Sequence, residues 1–161
     1  MISSEEFFLK YAFPCAHVLF QVGAMTEERY KELENSVKTG DFPSRQIIEL
    51  SFPSAFRRIK KLAKEVGVED YWDMKVMKEY WHKNHNVNID EKEGSYAKFP
   101  ECFCDFCKVH VAKIIEIFPN GFFLIEYNGK KRPVSGEYIS DAKIGDEVRI
   151  HHAYAVEKIY D

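Results

Sequence analysis

The chain has 161 residues, 45% hydrophobic and 15% aromatic, with a formal net charge of -3. That composition supports a buried core and excludes wholesale disorder, and the slight acidity gives no electrostatic basis for sequence-independent nucleic-acid binding. There is no run of about 20 apolar residues to cross a bilayer, and Glu5-Glu6 stand where a signal peptide carries positive charge, so a cytoplasmic protein without a membrane partner is expected.

In chain order, residues 1–85 read as a helical domain. Ser3 or Ser4 with Glu5 and Glu6 suits a helix start, and Phe13-Pro14 predicts its end. Cys15 to Met25 forms a second helical stretch. Thr26-Glu27-Glu28 opens a third, with Tyr30, Leu33 and Val37 at spacings of three and four and Gly40 past its end. Ser44 suits a cap for the segment carrying Ile47, Ile48 and Leu50. After Phe52-Pro53-Ser54, Phe56, Ile59, Leu62, Ala63 and Val66 share a helix face; Arg57, Arg58, Lys60, Lys61 and Lys64 fill the other. That basic side reads first as a solvated face, and functionally as a docking surface through Arg57, Arg58 and Lys61 for an acidic partner. A last helix is predicted from Val68 to His82, with Tyr71, Trp72, Met74, Met77, Tyr80 and Trp81 as core. His82 and His85 near its end read as compensation of the helix dipole.

The chain turns polar from Asn84 to Phe99, so residues 86–105 read as a linker that carries a cysteine cluster. Beyond it the hydrophobic period becomes two. Val109 to Ile117, Phe122 to Tyr127, Lys130 to Val134, Glu147 to His152 and Ala155 to Ile159 read as five short strands, with Asn128-Gly129 as a hairpin turn. Five strands in so short a span, this aromatic, imply closure, since open edges would invite aggregation. The expected fold is α+β: a helical N-terminal domain followed by a small five-stranded OB-like β-barrel over residues 106–161.

Cys102-x-Cys104-x-x-Cys107-x-x-His110 places three thiols and an imidazole within nine residues. A tetrahedral Zn²⁺ or Fe²⁺ site wants about four such ligands, and near neighbours in sequence lose little loop entropy on converging. Cys15 and His17, in Phe13-Pro14-Cys15-Ala16-His17, offer an alternative completion from the helical domain; each alone reads more simply as a packed side chain. His151 and His152, adjacent on a strand, are expected on opposite faces, one interior and one exposed.

Gly145-Asp146-Glu147-Val148-Arg149-Ile150-His151, followed by Ala153-Tyr154-Ala155-Val156-Glu157-Lys158-Ile159, resembles the closing segment of the HypC/HupF hydrogenase-assembly chaperones. Their opening Met-Cys-Leu-Ala-Ile-Pro-Gly-Lys-Val strand, set without a gap against Lys113-Ile114-Ile115-Glu116-Ile117, puts Cys107 on the family's essential cysteine and Phe106 on its initiator Met. The resemblance covers about residues 106 to 161. It departs where the family's Pro-Gly is Val111-Ala112, where Cys107 is internal rather than N-terminal, and where Cys102 and Cys104 have no counterpart.

The resemblance implies a small barrel that carries the Fe(CN)2CO fragment of a nickel–iron hydrogenase. The fragment would pass from a maturation scaffold protein to the hydrogenase large-subunit precursor, with Cys107 as iron ligand and partner contact and His151 assisting. The expected function is therefore a chaperone without turnover of its own. The alternative is a zinc-binding interaction module whose OB-like barrel meets protein or nucleic acid through aromatics such as Phe122, Phe123, Tyr127, Tyr138 and Tyr154. A thiol enzyme using Cys107, His151 and Asp105 is ranked last, because nothing in the sequence positions the three.

Overall fold

The computed structural model describes residues 1–160, and the chain divides into two compact units, Met1–Val87 and Asn88–Asp161. No helix among the described residues is long and apolar enough to cross a membrane.

In the first unit α1 spans Ser4–Gln21, capped by Ser3, whose hydroxyl accepts from the Glu6 N–H at 3.1 Å. The helix runs through Pro14, so the break expected at Phe13-Pro14 does not occur. A proline inside a helix forfeits one backbone hydrogen bond, but the buried face continues across it, from Phe7, Phe8 and Tyr11 to Phe13 and Ala16. α2 (Glu27–Thr39) is capped by Thr26 and stops at Gly40, whose φ of 77° is the left-handed conformation that glycine adopts without strain. α3 (Arg45–Ser51) follows Ser44, and α4 (Pro53–Glu65) begins on a proline, where the missing N–H costs nothing.

α4 buries Phe56, Ile59, Leu62 and Ala63 as the spacing predicts, while Val66 stays exposed. It also buries Arg58, which removes that side chain from the expected solvated face. Phe8 is the hub of the aromatic core, with ring centroids of Phe56 at 4.7 Å, Phe52 at 5.5 Å and Trp81 at 5.7 Å. Glu49 ties the periphery together, accepting from Trp72 Nε1 and Tyr71 OH at 2.8 Å and from Lys60 Nζ at 3.0 Å. Burial alone would raise its pKa, but these donors outweigh it and hold the carboxyl below its ordinary value.

The helix predicted over Val68 to His82 starts later and ends later. Asp70 accepts from the Trp72 N–H, a local alternative to helix, and Asp73 caps the helix by accepting from the Lys75 N–H, so α5 begins at Met74. α5 (Met74–Glu79) passes through a π turn at Tyr80–Asn84 into α6 (His85–Asp90). The stretch read as linker is therefore ordered: α6, a 3₁₀ turn at Gly94–Lys98 and α7 (Glu101–Cys107) fill it. Ile89, Cys104 and Cys107 are buried there as one cluster, covered by Tyr96, Phe99 and Phe103. A few large side chains suffice to fold a segment whose average composition is polar.

The second unit's barrel is closed, in the order β1-β2-β3-β5-β4. β1 is His110–Ile117, β2 Phe122–Tyr127, β3 Lys130–Ser135, β4 Glu147–His151 and β5 Tyr154–Lys158. β1 pairs antiparallel with both β2 and β4, helped by a bulge between Ile114 and Glu116 that bends it around the barrel. β3 and β5 meet in parallel at Ser135 and Tyr154, closing the OB-like barrel. Asn128 (φ 49°) and Gly129 (φ 71°) form the β2–β3 turn, both central residues in the positive-φ region that such hairpins need. The interior is filled by Ala112, Ile114, Phe123, Ile125, Tyr127, Val134, Val148, Ile150 and Ala155.

Candidate functional site

α7 delivers the cysteines to one end of the barrel but does not gather them. At about 100° per residue, Cys102 and Cys104 face away from each other, whereas Cys104 and Cys107, three apart, share a side. Accordingly Cys102 is exposed and the other two are buried. Burial pushes the Cys107 thiol up to about 12, with Cys104 adding to the rise. Cys104 is surrounded by backbone carbonyls, Phe99 at 3.8 Å and Tyr96 at 3.9 Å, with Lys92 Nζ at 3.7 Å.

His110 does not join the cysteines either. Its Nε2–H donates to the Asp105 carbonyl at 2.7 Å and its ring lies on Tyr127, with centroids 4.3 Å apart. Burial, the largest influence, lowers its pKa, so it is a neutral imidazole whose protonated nitrogen is already committed. The expected Cys102–Cys104–Cys107–His110 knuckle is therefore not formed, because helix geometry and the Asp105 contact point the donors apart. Within Asn88–Asp161, no three ligand atoms from described His, Cys, Asp or Glu residues lie within 4.8 Å of one another. In the first unit, Cys15 is half-buried on α1, and His17 is exposed with its ring 6.0 Å from Tyr30.

The two histidines at the end of β4 behave differently from a simple strand pair. His151 is the last residue of β4, while His152 turns with a φ of 51°, breaking the alternation that would send it to the opposite face. Both are buried, their ring centroids 4.6 Å apart and nearly perpendicular, and a nitrogen of one lies within 4.8 Å of a nitrogen of the other. His152 also meets the ring of Phe106 at 4.9 Å. A left-handed non-glycine turn after the strand is what creates this pair. Alternation along the strand alone hides it, and the short Ala153-Tyr154 return into β5 was its only hint in the sequence.

The β1–β4 ladder brings this pair to the level of α7. His110 stands opposite Ile150, so His151 continues one end of the ladder and Cys107 lies three residues before His110 at that same end. Asp105 fastens the helix there. Its carboxylate accepts from Tyr127 OH at 2.9 Å and Lys130 Nζ at 3.3 Å, and lies 3.5 Å from His110 Nε2. Burial acts to raise the Asp105 pKa, but these neighbours together lower it. With its oxygens so engaged, Asp105 serves the helix–barrel joint.

Two adjacent imidazole nitrogens are donors suited to zinc, copper or ferrous iron. No protein-family model matches this chain, and no curated protein matches it.

Proposed function

We propose that the chain is a non-catalytic metal-handling chaperone of the HypC/HupF kind, which takes up a metal unit such as the Fe(CN)2CO fragment and passes it to a metalloenzyme precursor. The observation behind this reading is the buried pair His151 and His152 at the end of the β1–β4 ladder where the chain arrives from α7 and Cys107. His151 and His152 supply nitrogen donors, and Cys107 supplies sulfur once a metal displaces its proton. A thiol with a raised pKa stays protonated and unreactive until cargo arrives, so uptake releases a proton. Because Cys107 is only 5% exposed, loading requires α7 to loosen from the barrel.

That burial also favours a second reading, a zinc-binding interaction module that keeps its ion. A buried ligand exchanges slowly, which suits retention better than hand-over.

One experiment separates the two. The protein is purified anaerobically from cells producing hydrogenase-maturation proteins, as wild type and as Cys107→Ala, and analysed for metal and for cyanide and carbonyl infrared bands. Substoichiometric iron with those bands and a co-purifying scaffold, all lost in Cys107→Ala, supports the carrier. Tightly held zinc without such bands supports the module. Iron, bands and scaffold that all persist in Cys107→Ala contradict any role for this thiolate.

A further inference from the structure

Arg132, on β3, has a guanidinium with unusual surroundings. The ring of Phe106 from α7 lies 4.9 Å from its central carbon and the ring of Tyr127 from β2 at 5.4 Å. Nη1 donates to the backbone carbonyl of His152. Nε and Nη2 are closed to solvent, and neither has a hydrogen-bond acceptor among the described residues. Those two nitrogens form one side edge of the guanidinium, with parallel N–H bonds spaced to match the two oxygens of a carboxylate. The carboxylate on the neighbouring helix does not answer this edge, because Asp105 is taken by Tyr127 and Lys130. A cation withdrawn from water with two unmade donors is strongly unfavourable unless an acceptor completes it, and ring stacking satisfies the faces but not the edge.

We propose that the Nε–Nη2 edge of Arg132 is a binding site for a small planar carboxylate ion, held by two parallel N–H···O bonds. The His152 carbonyl fixes the third nitrogen and so the direction of the edge, while Phe106 and Tyr127 fix its plane. Because that edge is closed to solvent, the ligand must be small, and the half-buried Phe106 is the side chain that moves to admit it. The site uses neither the Cys107 sulfur nor a metal, so it stands or falls independently of the metal-handling reading.

The test uses metal-free, full-length protein. Sodium formate is titrated in at constant ionic strength, with sodium chloride as the balancing salt, while the Arg132 Nε–H signal is followed by proton–nitrogen NMR and assigned through its own side chain. The expected result is a saturable downfield shift with formate and none with chloride. Formate should also raise the thermal midpoint above that in matched chloride, since a ligand that binds only the folded state stabilises it. The rise should vanish in Arg132→Lys, whose ammonium lacks the paired edge. A signal that ignores formate, or follows chloride equally, overturns the proposal and leaves an enclosed water or the two rings as sufficient company for the guanidinium. The wild-type titration decides the matter even if Arg132→Lys fails to fold.

Discussion

The hydroxyl of Tyr127, on the second barrel strand, donates to the carboxylate of Asp105, on α7, at 2.9 Å. The same carboxylate faces His110 from β1 and Lys130 at the start of β3, so one side chain joins the cysteine-bearing helix to three strands. Cys107 lies two residues further along that helix, and its enclosure depends on the joint. Tyr127→Phe removes one donor to a charged acceptor and should lower stability by roughly 1.5–3 kcal/mol, measured by urea unfolding. It should also speed alkylation of Cys107 under native conditions. Unchanged alkylation would mean that α7 is held by its apolar face alone.

The thiols should differ sharply in reactivity. Cys102 is exposed, whereas Cys104 and Cys107 are buried and the Cys107 thiol is pushed up to about 12. Near neutral pH, mass-spectrometric mapping after brief alkylation should find label on Cys102 well before Cys107, the latter reacting fully only in denaturant.

Acid should loosen the second unit in two stages. The folded-state pKa of His110 is lowered, by burial first, and that of Asp105 is lowered because the bonds from Tyr127 and Lys130 and the nearby His110 outweigh its burial. In both cases the unfolded chain binds protons more readily, so stability falls as pH falls. The His110 share is intact above its ordinary value of 6.5 and is lost below it, while the Asp105 share is intact above 3.8 and is lost as pH drops through the folded value. Urea midpoints should decline between about pH 7 and pH 5, and His110→Phe, which preserves the stack on Tyr127, should flatten that decline.

Gly136 is a packing necessity. A Cβ built there would stand 2.3 Å from Cζ of Phe123, a core ring of the barrel. Gly136→Ala should therefore destabilise by roughly 1–3 kcal/mol through overpacking. Adding Phe123→Leu should recover part of that loss, giving a non-additive pair in a double-mutant cycle.

The barrel was the most legible part of the sequence. Alternation at Val109 to Ile117, the Asn128-Gly129 turn and the short spacing of the strands predict β1 to β5 to within about a residue at most ends. The helices were legible wherever a cap and an apolar face agreed, as at Thr26 and Gly40. They were misread where one local signal outvoted the pattern. Pro14 suggested a break that burial on both sides overrides, and the average polarity of residues 86–105 concealed Ile89, Phe99 and Phe103. The site was legible as a set of residue types but not as a constellation. Cysteine spacing suggested a knuckle, and the helix that the same residues form turns Cys102 away from its neighbours. His152 was expected on the face opposite His151, one of the two exposed, but both are buried, because a φ of 51° rather than strand alternation sets its position.

Anaerobic titration of the metal-free protein with cobalt(II), followed through its sulfur-to-metal charge-transfer absorption, tests the metal-handling claim most directly. The account predicts a sulfur band that saturates with one ion per chain, disappears in Cys107→Ala and weakens in His151→Ala. A protein that binds no cobalt through sulfur, or a band that Cys107→Ala leaves untouched, would contradict it.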